Sequence, residues 1–230
     1  MATRFSITPK TPQELQLACL PQETQQAFLY CTTTPLFSQE DWYLAGGTAL
    51  TLQVGHRRSL DLDFFTPQAA FSEDTLERNL FVTGHWHTSL RAQGTLYGTL
   101  KGAKISFIAY PFFQPSPHRI VCGHVPILLP PDIAAMKIIA MSQRGKKRDF
   151  VDLYWFLHHG EKLTSLIART LEQYPNKEHN VPHILKSLTY FADAEQDPMP
   201  ELYFKIDWPT IKAYFCREVP RVTHELLQLP

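Results

Sequence analysis

The sequence predicts an α/β fold, in which a mixed sheet flanked by helices is followed by a helical C-terminal domain. Residues 42–65 indicate strand, Gly-Gly turn, helix and strand, because short apolar runs enclose a stretch with helical spacing. Residues 86–110 alternate apolar and polar side chains in three short segments, which is typical of neighbouring strands. From residue 131 onward the spacing is helical. We therefore expect two domains, residues 1–130 and 131–230.

The elements around this core follow in chain order. Residues 11–37 show helical spacing, which ends at the run containing Pro35. Ser72 is a typical N-cap residue, and two acids and two leucines after it indicate a helix. A short strand is expected at residues 126–129, before a double proline that suits the start of a helix. Further helices are predicted at residues 132–141, 164–174, 181–193 and 208–227.

Composition and charge narrow the class of protein. Of the 230 residues, 44% are hydrophobic, and 22 Lys+Arg balance 22 Asp+Glu, so a nucleic-acid contact requires a local basic patch. The sequence has no run of 18 apolar residues and no apolar segment near its start that would indicate a secretory signal. Its four cysteines lack metal-binding spacing. We therefore expect a cytoplasmic protein with reduced thiols and no membrane partner.

Residues 44–65 contain the motif that indicates a function. Gly46 and Gly47 stand at a strand end and open a helix, where backbone N–H groups can bind a phosphate. Asp61 and Asp63 alternate with a leucine, so their carboxylates point to one face of the next strand, about 6–7 Å apart. Such oxygen ligands suit Mg²⁺. The combination indicates a nucleotidyltransferase core; the alternative is a solvated strand after an ordinary helix.

These residues also resemble a family signature. The sequence GGTAL at 46–50, followed by His56-Arg57-x-Ser59-x-Asp61-x-Asp63-Phe64-Phe65, is similar to that of the AbiEii/AbiGii nucleotidyltransferase toxins of abortive infection. That family belongs to the polymerase-β-like nucleotidyltransferases. The resemblance implies transfer of a nucleoside monophosphate from an NTP, with Mg²⁺ as the metal and Mn²⁺ as the alternative ion.

The resemblance also implies roles for these residues. Gly46, Gly47 and Thr48 would hold the β- and γ-phosphates, and Arg57 and Ser59 would support that cradle. The metal ligands would be Asp61 and Asp63.

One position departs from the family pattern. Polymerase-β-like enzymes usually take a third metal-binding carboxylate from the strand that pairs with the strand of Asp61 and Asp63. That strand is predicted over residues 104–110, and Ser106 holds the expected position. Three alternatives follow: substrate phosphates and water complete the site, a carboxylate from elsewhere completes it, or the site binds nucleotide without turnover.

Lys137 lies in a predicted helix that is apolar nearly all round. Its ammonium either reaches the surface or has an anionic partner such as a triphosphate, and the residue pattern does not decide between them. The resemblance favours the triphosphate and a role at the leaving pyrophosphate. Asp149 and Asp152 lie three residues apart on one helix face, so one of them could act as a base or as the partner of Lys137. The resemblance favours a catalytic role for Asp149 and an anchoring role for Asp152; the alternative is that both acids serve only the first helical turn.

A dense basic cluster precedes Asp149, formed by Arg144, Lys146, Lys147 and Arg148. It contacts nucleotide phosphates or RNA, or it is a solvated loop. By resemblance the protein is the toxin of a type IV toxin–antitoxin system, with a cognate antitoxin, tRNA as leading acceptor and no DNA partner. The alternatives are a nucleotide-binding regulatory module and nucleotidylation of a protein partner. The sequence does not name the NTP, the acceptor or the oligomeric state.

Overall fold

The fold is that of a computed structural model, which describes residues 6–38, 41–175 and 180–227. The chain forms two compact units, Met1–Ile133 and Ala134–Pro230. Among the described residues, no helix is long and apolar enough to cross a membrane.

The first unit contains a mixed sheet, with eight strands in the described part of the chain. In chain order they are β1 (Ser6–Pro9), β2 (Tyr43–Ala45), β3 (Leu62–Thr66), β4 (Trp86–Ala92), β5 (Thr95–Leu100), β6 (Ala103–Ala109), β7 (His118–Cys122) and β8 (Val125–Leu128). Their order across the sheet is β1-β7-β8-β2-β3-β6-β5-β4. The pairs β1/β7, β8/β2 and β3/β6 are parallel, and the other pairs are antiparallel. The predicted mixed sheet is confirmed.

Three helices accompany the sheet: α1 (Gln22–Thr33), α2 (Gly46–Val54) and α3 (Glu73–Phe81). The Ser72 hydroxyl accepts a hydrogen bond from the Thr75 N–H at 3.3 Å, which confirms the predicted N-cap of α3. The prediction of helix throughout residues 11–37 is wrong outside α1. Short 3₁₀ turns stand there instead, at Pro12–Glu14, Leu17–Cys19 and Pro35–Ser38. Prolines disfavour a helical conformation in the residue before them, which accounts for this fragmentation.

One face of the sheet is packed into the core. Phe107 of β6 is fully buried and lies within 6.1 Å, between ring centroids, of four other aromatic side chains: Phe37, Trp42, Phe64 and Trp86. Leu76 and Leu80 of α3 are also buried. This face is therefore closed by tightly packed rings and helix side chains.

The opposite face of β4, β5 and β6 is open. Side chains alternate between faces along a strand, so Tyr97 and Leu90, which are register partners, point away from the core. Tyr97 is 37% exposed and Leu90 is 48% exposed. The fold leaves an accessible sheet surface on this side.

The second unit is helical. Helix α4 (Pro130–Gln143) begins in the first unit and continues into the second, and five helices follow among the described residues: α5 (Lys147–His158), α6 (Leu163–Gln173), α7 (Val181–Ser187), α8 (Ala192–Glu195) and α9 (Trp208–Leu227). The helix predicted at residues 181–193 is divided, because the Thr189 and Tyr190 N–H groups bond to carbonyls three residues back and tighten the last turn of α7. The predicted helical character of this part is confirmed.

Truncating a side chain to alanine should affect the free energy of unfolding differently on the two faces of the sheet. Phe107→Ala should lower the free energy of unfolding by about 3–5 kcal/mol, because it removes a ring from a closed core. Tyr97→Ala, one strand away on the open face, should cost less than about 1 kcal/mol. Urea denaturation of both variants measures this difference, and equal losses would contradict the assignment of the two faces.

Candidate active site

Helix α2 begins directly at the end of β2, beside a carboxylate of β3. Gly46 has a φ of +70°, which glycine adopts without strain, and a Cβ atom there would lie 3.1 Å from Asp63 Oδ2. Ala45, the preceding residue, is the register partner of Asp63. The first N–H groups of a helix have no acceptor within the helix and favour anions. A helix start of the kind that favours anions thus lies next to Asp63.

Two buried polar residues, Arg57 and Ser59, contact Gly47 at the start of α2. Arg57 is 3% exposed and Ser59 is 7% exposed. A Cβ atom on Gly47 would clash with the Arg57 guanidinium and lie 3.2 Å from Ser59 Oγ, so only glycine lets these side chains approach. Arg57 Nη1 also donates to the Arg58 carbonyl at 2.9 Å. Arg57 and Ser59 are therefore in contact with the predicted cradle.

Thr48 connects the helix to the carboxylate strand. Its side chain is buried, its hydroxyl donates to the Asp61 carbonyl, and it lies 2.8 Å from the Ser59 hydroxyl. Thr48 is one of the residues predicted to hold phosphate, and its hydroxyl is engaged within the protein. Its observed contacts fix the backbone immediately before β3.

Asp61 and Asp63 flank a fully buried leucine at the start of β3. Asp61 immediately precedes the strand, Asp63 lies within it, and both carboxylates are half-buried while Leu62 and Phe64 are fully buried. The two acids therefore share the face that points away from the aromatic core, as the alternation predicted.

Ser106 stands opposite Asp63, where the family pattern has its third carboxylate. The two residues are register partners on the parallel strands β3 and β6, and Ser106 Oγ donates to Asp63 Oδ1 at 2.6 Å. In the described ranges no group of three or more His, Cys, Asp or Glu side chains could hold a metal ion. Two carboxylates beside a helix start still fit Mg²⁺, which commonly uses one or two carboxylates together with water and substrate phosphates.

Tyr43 of β2 lies on the same sheet face, next to Phe65, with ring centroids 6.2 Å apart. Burial raises the pKa of its hydroxyl far above the usual range, although the Arg119 guanidinium, 4.9 Å from the ring, opposes that rise. Tyr43 therefore stays neutral at physiological pH. It contributes packing rather than acid–base chemistry.

Lys137 belongs to a buried ion-pair cluster in the second unit. It is 7% exposed, and its Nζ lies 2.6 Å from Asp149 Oδ1 and 2.8 Å from Asp152 Oδ2. Asp152 is fully buried, and the two acids stand three residues apart on one face of α5. The alternative in which the ammonium reaches the surface is wrong, because paired buried carboxylates compensate its charge.

The basic cluster before Asp149 does not act as one group. Arg144 and Arg148 are exposed, whereas Lys147 is 7% exposed and its Nζ donates to the carbonyls of Glu195 and Asp197. The solvated-loop and phosphate-contact interpretations are therefore wrong for Lys147. Sequence reasoning missed this contact, since its partners lie about 50 residues away and carry no motif.

The ion-pair cluster predicts a specific stability effect. Lys137→Met should lower the free energy of unfolding by about 3–5 kcal/mol, because it leaves two buried carboxylates without their cation. Lys212→Met is the matched control: it breaks an exposed pair with Glu195 and should hardly change the urea midpoint. Adding Asp149→Asn and Asp152→Asn to Lys137→Met should restore part of the loss. Equal midpoints for Lys137→Met and Lys212→Met would contradict the cluster.

Comparison with known proteins identifies the family of this chain. A family model described as the nucleotidyl transferase AbiEii toxin of a type IV toxin–antitoxin system matches residues 27–97 and 104–224. An uncharacterised protein of Aquifex aeolicus is 37% identical over 185 residues, which cover 78% of this chain and 86% of that protein.

Two solved structures share the fold. A Helicobacter pylori protein described as a nucleotidyltransferase has a TM-score of 0.51 at 17% identity, covering 91% of this chain and 98% of its own. MenT4, a nucleotidyltransferase toxin of Mycobacterium tuberculosis, has a TM-score of 0.52 at 16% identity, covering 90% of this chain and 87% of its own. With the matching family model, these observations show that the chain belongs to the AbiEii family of type IV toxin–antitoxin systems and is a nucleotidyltransferase.

Proposed function

We propose that this protein transfers a nucleoside monophosphate from an NTP to an RNA acceptor, with tRNA as the leading acceptor. It acts in the cytoplasm as the toxin of a pair with a cognate antitoxin. The close approach of Gly46 to Asp63 is the observation that carries this proposal. It brings a helix start suited to phosphates and a carboxylate suited to a divalent cation into one site.

The contacts at the start of α2 support the nucleotide-binding roles in this proposal. The N–H groups of Gly46 and Gly47 bind the β- and γ-phosphates, with the Thr48 N–H in the same helical turn. Arg57 and Ser59 keep the turn in shape through their contacts with Gly47. Positioning and electrostatic stabilisation of this kind account for most of the catalysis of phosphoryl transfer.

Asp61 and Asp63 would hold Mg²⁺, or Mn²⁺ as the alternative ion. When bound, the ion neutralises phosphate charge and activates the attacking oxygen. Ser106 orients Asp63 by donating to Oδ1, while Oδ2 faces Gly46. The Asp63 carboxylate is thereby fixed between Ser106 of β6 and the start of α2.

Lys137 and Asp149 have a less direct part in the proposal. The family pattern gives Lys137 a role at the leaving pyrophosphate and Asp149 a catalytic role. The Lys137 ammonium is already bound by two carboxylate side chains, which disfavours phosphate binding by this cluster alone. We therefore assign Lys137 and Asp149 a positioning role within the helical unit.

Two other functions remain as alternatives. Nucleotide binding without turnover is favoured by Ser106 in place of a third carboxylate. Nucleotidylation of a protein partner uses the same donor site and differs in the acceptor.

The test is incubation of the purified protein with each α-³²P-labelled NTP, Mg²⁺ and total tRNA. Asp61→Asn/Asp63→Asn should reduce labelling of RNA by at least about 100-fold, because it removes the charges that hold the metal. Asp193→Asn, an exposed acid on α8, is the matched control and should transfer normally. Label on protein instead of RNA would support nucleotidylation of a partner. Bound NTP with no labelled product would contradict the transferase proposal.

Metal dependence gives a separate prediction. A chelator should abolish transfer by the wild-type protein, and added Mg²⁺ or Mn²⁺ should restore it, because the carboxylates alone repel the triphosphate. The same titration of Mg²⁺ or Mn²⁺ into the chelated protein also measures the affinity of the protein for NTP. Full transfer after exhaustive chelation would contradict the metal-binding role of Asp61 and Asp63.

A further inference from the structure

A continuous row of paired residues crosses the sheet from the active-site carboxylates. Asp63 is the register partner of Ser106 on β6, Ser106 of Tyr97 on β5, and Tyr97 of Leu90 on β4. Register partners point to the same face, and neighbouring strands lie about 4.8 Å apart. The backbone of Tyr97 is therefore about 10 Å from that of Asp63, on the same face.

A second row runs beside the first. Extending the β3–β6 register by one residue aligns Asp61 with Lys104, which pairs with Thr99, which in turn pairs with His87. Lys104 and His87 are exposed. Together the two rows form what we call the β4–β6 face: Ser106, Tyr97, Leu90, Lys104, Thr99 and His87.

The strands that form this face carry no negative charge. Residues 78–131 contain no Asp or Glu and five Lys or Arg, although the whole chain is balanced at 22 of each charge. Arg91 is paired with Asp74 and Glu77 of α3, so the β4–β6 face presents the ammonium of Lys104 and the imidazole of His87, which can donate a hydrogen bond. This charge distribution complements a phosphate backbone.

The geometry of transfer indicates which substrate occupies the face. The attacking and leaving oxygens lie roughly in line through the phosphorus. In the proposed site pyrophosphate lies by Gly46, at the end of β2 on one side of β3. The attacking hydroxyl therefore approaches from the other side, where β6, β5 and β4 follow. It bonds to the α-phosphorus, pyrophosphate leaves with the electron pair of the broken bond, and the hydroxyl proton passes to water.

We propose that the β4–β6 face binds the unpaired terminal nucleotides of the acceptor RNA. This inference rests on the proposed transfer to RNA. Tyr97 stacks on an unpaired base, Leu90 packs beside that base, and Lys104 and His87 contact the backbone phosphates. An exposed ring on an open sheet stacks on bases that are splayed out, whereas bases within a duplex stay stacked on one another. The face thus selects single-stranded ends with little preference for sequence.

The first experiment compares Tyr97→Ala with Tyr97→Phe and with the wild type. Tyr97→Ala should raise the KM for acceptor RNA, and the Kd for a fluorescent single-stranded RNA oligonucleotide, by about ten-fold, because base stacking is lost. Tyr97→Phe keeps the ring and should stay within about two-fold of the wild type. The KM for NTP and kcat should not change, since the contact is with the acceptor alone. Tyr203→Ala, another exposed tyrosine at 47%, is the matched control.

The proposed contact of Lys104 with the RNA backbone is tested separately. Lys104→Ala should weaken binding of single-stranded RNA of any sequence and reduce the slope of log Kd against log salt by about 0.7, because one phosphate contact is lost.

Several results would overturn the inference. A raised KM for NTP in Tyr97→Ala would assign the face to the nucleotide base, and unchanged constants for RNA would exclude contact with the ring. Equal binding of duplex and single-stranded oligonucleotide would exclude selection of unpaired ends. If the wild type labels no RNA, the transfer proposal fails, while the oligonucleotide measurement still decides whether Tyr97 binds single-stranded RNA.

Discussion

The pairing of β3 between β2 and β6 is the constraint on which the site depends. Gly46, at the end of the antiparallel partner β2, lies on one side of Asp63, and Ser106 of the parallel partner β6 lies on the other. A slip of one residue would turn Asp63 toward the aromatic core and Phe64 toward solvent. Burying a carboxylate among rings is strongly unfavourable, so the hydrophobic core that selects the register also places the carboxylates.

Around this register, buried polar residues position groups that are themselves accessible. Thr48, Arg57 and Ser59 are almost fully buried and bind the backbone or each other, while Asp61 and Asp63 remain half-exposed. Such a division is expected where catalysis relies on positioning, because each internal contact limits the motion of the helix start or the carboxylate strand. The second unit repeats the pattern in its own interior, where Lys137 joins two acids of α5.

The fold and the centre of the site could be predicted from the sequence because they depend on local signals. A Gly-Gly turn at a strand end and an alternating Asp-Leu-Asp have direct geometric consequences, and the three strands at residues 86–110 show clear alternation. For Lys137 the sequence offered one of two nearby acids as a partner, and the structure shows that both contact it. The partners of Lys147 could not be predicted, because they lie about 50 residues away and carry no motif. The role of Thr48 was equally undetermined, since a hydroxyl in a first turn can serve a ligand or the chain itself. The β4–β6 face could not be predicted from the sequence, because it depends on the pairing register between strands, which the pattern of a single strand does not give.

The most direct measurement is a crystal structure of the wild-type protein with a non-hydrolysable NTP analogue and Mg²⁺. We expect the β- and γ-phosphates to lie against the N–H groups of Gly46 and Gly47, and the metal to be bound by Asp61 and Asp63. The β4–β6 face should remain open beside the α-phosphate. A nucleotide bound away from the start of α2, or a metal held without either carboxylate, would contradict the proposed site.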